Sequence, residues 1–156
     1  LDFEAIFIPD SAFRVKMITS QLAFYSVRGV KLLGTSLWHS PELLKKGGEY
    51  LNGAFFTDSF YVNGFLPETN DFVDAYYAAY GREPAGMEAL TYDTTRLVIR
   101  VLESSAVGSR ADFIRSLQAV TGFCGATGCI SFRDSRVAYK NAFILKVENG
   151  KLVQVK

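Results

Sequence analysis

Three short apolar runs in the first third of the chain, separated by stretches with other spacing, constrain the fold more than any other feature. Phe3-Glu4-Ala5-Ile6-Phe7-Ile8 is closed by Pro9-Asp10, Val30 to Thr35 forms a second run, and Gly53-Ala54-Phe55-Phe56-Thr57 a third. Runs of this length and apolarity suit parallel strands buried on both faces. Between the first two, Val15, Ile18, Leu22 and Tyr25 recur at helical spacing, with Phe13 and Met17 beside them. Asp10 or Ser11 is placed to cap that helix, and Gly29 to end it. Ser40-Pro41 predicts a short helix through Leu43-Leu44 that stops at Gly47-Gly48, with Ser as cap and Pro at the first position. The order strand, helix, strand, short helix, strand requires crossover connections and hence a parallel sheet.

Further along, Asn70 is expected to cap a helix that places Phe72, Tyr76 and Tyr80 on one face and ends at Gly81. Beyond Pro84 a longer helix runs from Gly86 to about Ser104, with Met87, Leu90, Leu97 and Val101 expected inward. Ser109 opens a helix that buries Phe113, Leu117 and Val120. The last third reads differently. Cys129 to Phe132 and Ala142 to Val147 are strands, and Asn149-Gly150 is a two-residue hairpin turn leading to Leu152–Val155. The fold class expected is therefore α/β: three layers around a mainly parallel sheet with crossover helices, plus an antiparallel C-terminal hairpin.

Composition excludes several functions. With 17 basic and 16 acidic residues and a net charge of +1, the chain has no electrostatic footprint for nucleic acid. No run of apolar residues is long enough to span a bilayer, and no signal peptide opens the chain. Leu1 to Asp10 reads as a strand that begins at once, as expected of a piece of a longer chain, so the missing signal is expected to carry no information about compartment. No glycine-rich phosphate loop is present, and no cofactor is expected.

The side chains with chemical potential are few. His39 is the single histidine. As a general base it would need a nucleophile and an orienting partner, and Gly34-Thr35-Ser36-Leu37-Trp38 lacks the second glycine of a nucleophile elbow. A cleft or surface histidine in a non-enzyme is the reading adopted. Cys124 and Cys129 are separated by four residues, with Gly125 and Gly128 between them. In an oxidising compartment they would close a small disulfide loop; two buried thiols are the alternative. Two cysteines and one distant histidine do not make a metal site. Asp10 and Ser11 end the first strand, where open parallel sheets collect ligands, and capping and ligand contact are compatible there. Asp93, inside the longest helix, calls for a partner, and a structural hinge role is expected. The Tyr76-Tyr77-Ala78-Ala79-Tyr80 cluster is either a sugar platform or core packing, and helical spacing favours the core.

Four passages carry a family resemblance. They are Ala5-Ile6-Phe7-Ile8-Pro9-Asp10-Ser11; Leu32-Leu33-Gly34-Thr35-Ser36 with Ser40-Pro41-Glu42-Leu43-Leu44 and Leu51-Asn52-Gly53-Ala54-Phe55; Phe72-Val73-Asp74-Ala75-Tyr76 through Tyr80-Gly81-Arg82-Glu83-Pro84 to Ala89-Leu90-Thr91-Tyr92-Asp93; and Thr127-Gly128-Cys129-Ile130-Ser131-Phe132 with Val147-Glu148-Asn149-Gly150-Lys151. In this order they resemble the C-terminal part of type I periplasmic solute-binding proteins of the Leu/Ile/Val-binding kind. The resemblance implies two α/β lobes joined by a hinge, with an upstream lobe missing here. It implies residues 1–60 as a C-terminal-lobe segment, 61–122 as a helical segment crossing the hinge, and 123–156 as a hairpin returning to the lobe.

The resemblance also implies a periplasmic setting, with a lipid anchor upstream as a variant. A small-molecule ligand would be held by Asp10, Ser11, Ser36, Leu37 and Trp38, with an ABC transporter permease as partner. Amino-acid binders of this kind place an acidic residue soon after the second strand to hold the ligand's ammonium. Here Thr35-Ser36-Leu37-Trp38 offers no carboxylate, a loss of roughly 1.5–3 kcal/mol. That weighs against a standard branched-chain amino acid. Trp38 would stack on an aromatic or sugar-like ligand or plug the cleft. The sequence also looks close to the lipoprotein variant that activates penicillin-binding proteins, so regulation of a periplasmic cell-wall enzyme is the alternative function. A lobe lacking its first strands exposes a sheet edge, which predicts a homodimer of the isolated chain.

Overall fold

The computed structural model describes residues 2–45, 48–104 and 107–155. Strand β1 (Ala5–Phe7) leads into helix α1 (Ala12–Phe24), then β2 (Lys31–Gly34), a 3-10 turn at Ser36–Trp38, a second at Gly48–Leu51, and β3 (Phe55–Asp58). Helices α2 (Pro67–Tyr80), α3 (Gly86–Ser104) and α4 (Arg110–Gln118) follow. The chain closes with β4 (Phe123–Gly125), β5 (Gly128–Ser131), β6 (Tyr139–Lys140), β7 (Phe143–Glu148) and β8 (Lys151–Gln154).

The chain forms two compact units, Leu1–Asp58 with Phe143–Lys156, and Ser59–Ala142. In the first, one sheet has the order β1-β2-β3-β7-β8. Its β1–β2 and β2–β3 pairings are parallel; β3–β7 and β7–β8 are antiparallel. The expected α/β fold stands, with parallel and antiparallel pairings in equal number. Val15, Trp38, Leu43, Leu51, Phe56, Leu145 and Val147 are fully or almost fully buried and form its core. Burial on this scale supplies about 1.5–3 kcal/mol per large apolar side chain. Asn149 and Gly150 both take positive φ, 51° and 74°, the requirement of the tight hairpin turn expected there.

In the second unit, β4, β5 and β6 form a small antiparallel sheet. Phe60, Phe72, Ala89 and Ala126 make its core cluster, with Val62, Val73 and Tyr76 packed against it. Asp93 is 1 % exposed, on the same face of α3 as Ala89, Leu97 and Val101. Its carboxylate accepts from the Ala126 and Thr127 amides at 2.8 and 2.7 Å and from the Thr127 hydroxyl at 2.5 Å. A buried charge is tolerated only with such partners. The Thr69 hydroxyl donates to the Ala126 carbonyl at 2.8 Å, tying α2 to the same loop. Gly125 has to be glycine, since a Cβ would lie 2.2 Å from Asp93 Oδ1.

Several local expectations are corrected. Helix α1 ends at Phe24, and the left-handed residue that closes it is Ser26 (φ 56°), with the Val27 amide reaching back to Leu22, so Gly29 serves a later turn. Ser40-Pro41 starts a turn over residues 41–44 and no helix, while the expected stop at Gly47 lies outside the described residues. Helix α2 begins at Pro67, whose fixed φ suits the first helical position, and Asn70 falls inside its first turn. Met87 (74 %) and Leu90 (36 %) are exposed, because Ala89 and Asp93 take the inward face of α3. No residue of α4 is fully buried. Strands β4 and β6 went unforeseen: each is too short, at three and two residues, to show a period.

Candidate functional site

Parallel strands put their carboxyl ends on one edge of a sheet, and the loops that leave that edge form a crevice. Here the edge carries the loops after β1 and β2. Ile8 extends the β1–β2 ladder by one bond, its amide donating to the Leu33 carbonyl at 2.8 Å. Pro9 then turns the chain, and Asp10 and Ser11 follow. Ser11 is the cap residue of α1 with extended backbone, yet its hydroxyl makes no capping bond. The Asp10 carboxylate instead accepts from the Ser11 amide at 2.7 Å and faces Arg14 at 3.7 Å.

After β2, Thr35 leads into the 3-10 turn at Ser36–Trp38, closed by the Trp38 amide on Thr35 and the His39 amide on Ser36. A one-turn helix of this kind sends neighbouring side chains in different directions. Leu37 is 59 % exposed and Trp38 is fully buried. The indole packs on Phe56 at 5.9 Å between centroids, and its N–H donates to the Ile8 carbonyl at 2.9 Å. Gly34 leaves the space for it: a Cβ there would lie 2.1 Å from the ring.

The structure thus brings the Asp10–Ser11 and Ser36–Leu37 segments to one edge of the sheet and joins them through Trp38. Trp38 itself presents no surface to a solute and braces both loops from below. Thr35 Oγ1 at the same turn is buried without a hydrogen-bond partner. Sequence reasoning missed Asp58, the last residue of β3, because the third apolar run was read only to Thr57. Asp58 is 8 % exposed, and its carboxylate lies 2.5 Å from His39 Nδ1. His39 also packs against Phe56, at 6.2 Å between ring centroids. The orienting partner that sequence reading required for this histidine is therefore present, and it fixes which ring nitrogen faces the carboxylate.

In the other unit, Cys124 and Cys129 are directly opposed on β4 and β5 and form a disulfide across the hairpin. Among the described residues no group of three or more His, Cys, Asp or Glu is arranged to hold a metal ion. No helix among the described residues is long and apolar enough to cross a membrane.

The chain is similar in structure to a leucine-binding protein from Thermotoga maritima, at 26 % identity and a TM-score of 0.74, covering 98 % of this chain and 44 % of that one. It is similar to an ABC transporter substrate-binding protein from Desulfitobacterium hafniense in complex with leucine (21 %, TM-score 0.73, 97 % and 43 %). A third is a branched-chain amino acid transporter substrate-binding protein from Streptococcus pneumoniae in complex with isoleucine (24 %, TM-score 0.71, 99 % and 46 %). The chain spans less than half the length of each. Among curated protein sequences, none matches it. The family model described as periplasmic binding protein matches residues 17–151, nearly the whole chain, and the chain belongs to that family.

Proposed function

We propose that the first unit supplies one wall of a solute-binding crevice, with Asp10, Ser11, Ser36 and Leu37 as the contacts and Trp38 as their buried brace. The observation that carries this reading is the bond from the Trp38 indole to the Ile8 carbonyl, which makes the two loops a single preformed surface. The solute is small and amphipathic, of amino-acid-like type: Leu37 offers apolar contact, while Asp10, Ser11 and Ser36 offer a carboxylate and two hydroxyls. Leucine and isoleucine bound to the relatives support that class. Solute handed on to an ABC transporter permease is the role this fits, without catalysis, in an extracytoplasmic compartment where the cystine bridge persists.

A thermal-shift series on the full chain with leucine, isoleucine, aromatic amino acids and small organic acids tests it. Concentration-dependent stabilisation by one class supports the reading, since a ligand that binds only the folded form raises Tm. No shift with any solute, together with capture of a periplasmic cell-wall enzyme, would transfer the assignment to the regulatory alternative.

We also infer self-association of this chain through β1. Among the described residues it is one of the two edges of its sheet, β8 being the other, and Phe3 (48 %) and Phe7 (60 %) at the β1 edge are exposed. Light scattering that gives a monomer mass at all concentrations would refute it.

A further inference from the structure

The second unit holds a groove that the crevice reading does not use. It lies between α2 and α3, is open to solvent with a volume of about 590 Å³, and is lined by Ala75 and Ala79 on one helix and Thr91 on the other. A row of aromatic rings runs along it. Tyr92 packs on Phe72 at 4.6 Å, Phe72 on Tyr76 at 5.7 Å, and Tyr76 on Tyr80 at 4.5 Å between centroids. Only Phe72 belongs to the core. Tyr92 is 40 % exposed, and Tyr80 is 67 % exposed, so the core packing expected for the Tyr76–Tyr80 cluster does not extend to Tyr80.

The rim is polar and electrically balanced. Arg82 sits over the Tyr76 ring at 5.2 Å and pairs with Glu88 at 3.0 Å. Glu88 also accepts from the Ala85 amide at 3.2 Å and the Tyr76 hydroxyl at 3.5 Å. That Ala85 bond is one half of a capping box for α3, which fixes the carboxylate in place. The Glu88 carboxyl is held below the ordinary glutamate range, first by its own backbone amide and then by Arg82.

We propose that this groove binds a neutral saccharide ring. A pyranose has an apolar face of C–H groups to lay on Tyr80 and hydroxyls to meet the Arg82, Glu88 and Thr91 groups of the rim. Arg82 and Glu88 neutralise each other, so the rim offers an ionic ligand no net charge to meet, and a plain aromatic ring would leave its donors and acceptors unused. The volume is that of a small-molecule site. The inference lies wholly within the second unit and does not depend on the solute crevice.

Saturation-transfer NMR on the full chain with cellobiose and with N-acetylglucosamine oligomers tests it. The expected result is transfer to ring C–H protons at millimolar saccharide, with affinity lowered about three- to tenfold in Tyr80→Ala. Tyr77→Ala, an exposed tyrosine of the same helix outside the groove, should bind like the parent chain. Binding of the disaccharide identifies a free sugar as the ligand, and binding of the longer oligomers alone identifies a glycan strand. No transfer from either, an equal loss in both variants, or an indole probe that binds the groove while saccharides do not, would overturn the proposal. Circular dichroism of both variants checks that they fold.

Discussion

The indole N–H of Trp38 donates to the main-chain carbonyl of Ile8 at 2.9 Å, joining two loops thirty residues apart in sequence. The bond is buried, and the same carbonyl also accepts from the Asp10 amide at 3.0 Å, so its removal costs one net hydrogen bond. Trp38→Phe keeps most of the packing against Phe56 and removes the indole bond, while the Ile8 carbonyl keeps the bond it accepts from the Asp10 amide. Urea unfolding should show a loss of about 0.5–1.5 kcal/mol for the missing bond. Trp38→Ala adds a cavity and should cost about 3–5 kcal/mol. An unchanged midpoint in Trp38→Phe would mean that the loops are not tied through the indole.

Gly34 is the complementary test. A methyl there would meet the Trp38 ring at 2.1 Å, too close for any real side-chain contact. Gly34→Ala should destabilise by about 1–3 kcal/mol through overpacking. Pairing it with Trp38→Phe should recover part of that loss, a coupling that a double-mutant cycle measures.

Asp93 carries the corresponding burden in the second unit. Asp93→Ala leaves the Ala126 and Thr127 amides buried without an acceptor, at about 1–3 kcal/mol for each stranded group. Amide hydrogen exchange should rise first at Ala126 and Thr127, with the β4–β5 turn opening before α3.

Reduction of the Cys124–Cys129 bridge should lower stability by about 2 kcal/mol, the chain-entropy value for so short a loop. Thermal melts with and without reductant read this directly, with Cys124→Ser/Cys129→Ser as the permanent form.

Acid should weaken the start of α4 through Asp112. The Ser109 hydroxyl, and after it Arg115, hold the Asp112 carboxyl below the ordinary aspartate range. Its folded pKa is therefore the lower one. The contribution is complete above the unfolded value of about 4 and is lost as pH falls through the folded value. Asp112→Asn should flatten that acid limb by lowering stability at neutral pH, where the charged contacts are complete, and should converge with the parent chain in acid.

How much of this was legible in the sequence follows from the range of each interaction. The parallel strands and the hairpin were legible because short apolar runs and the Asn149-Gly150 turn leave local patterns, although the expected burial on both faces is absent from β1 and β2, where Phe7 is 60 % and Leu33 36 % exposed. The meeting of the Asp10 and Ser36 loops followed from the parallel order alone. The direction of Trp38 did not, since a single 3-10 turn has no period from which to tell Leu37 outward from Trp38 inward. The His39–Asp58 contact was hidden for another reason: it joins residues nineteen apart through the sheet register, which no local spacing encodes. Burial along α3 was misread because Asp93, a charge, occupies the inward face that apolar Met87 and Leu90 seemed to claim.

We propose the loops after β1 and β2 as one wall of a solute site. Amide chemical-shift mapping of the full chain, titrated with whichever solute class raises Tm, tests it most directly. Saturable shifts should cluster at Asp10, Ser11, Ser36 and Leu37 and weaken together in Trp38→Phe. Saturable shifts that leave those four amides unmoved would contradict it.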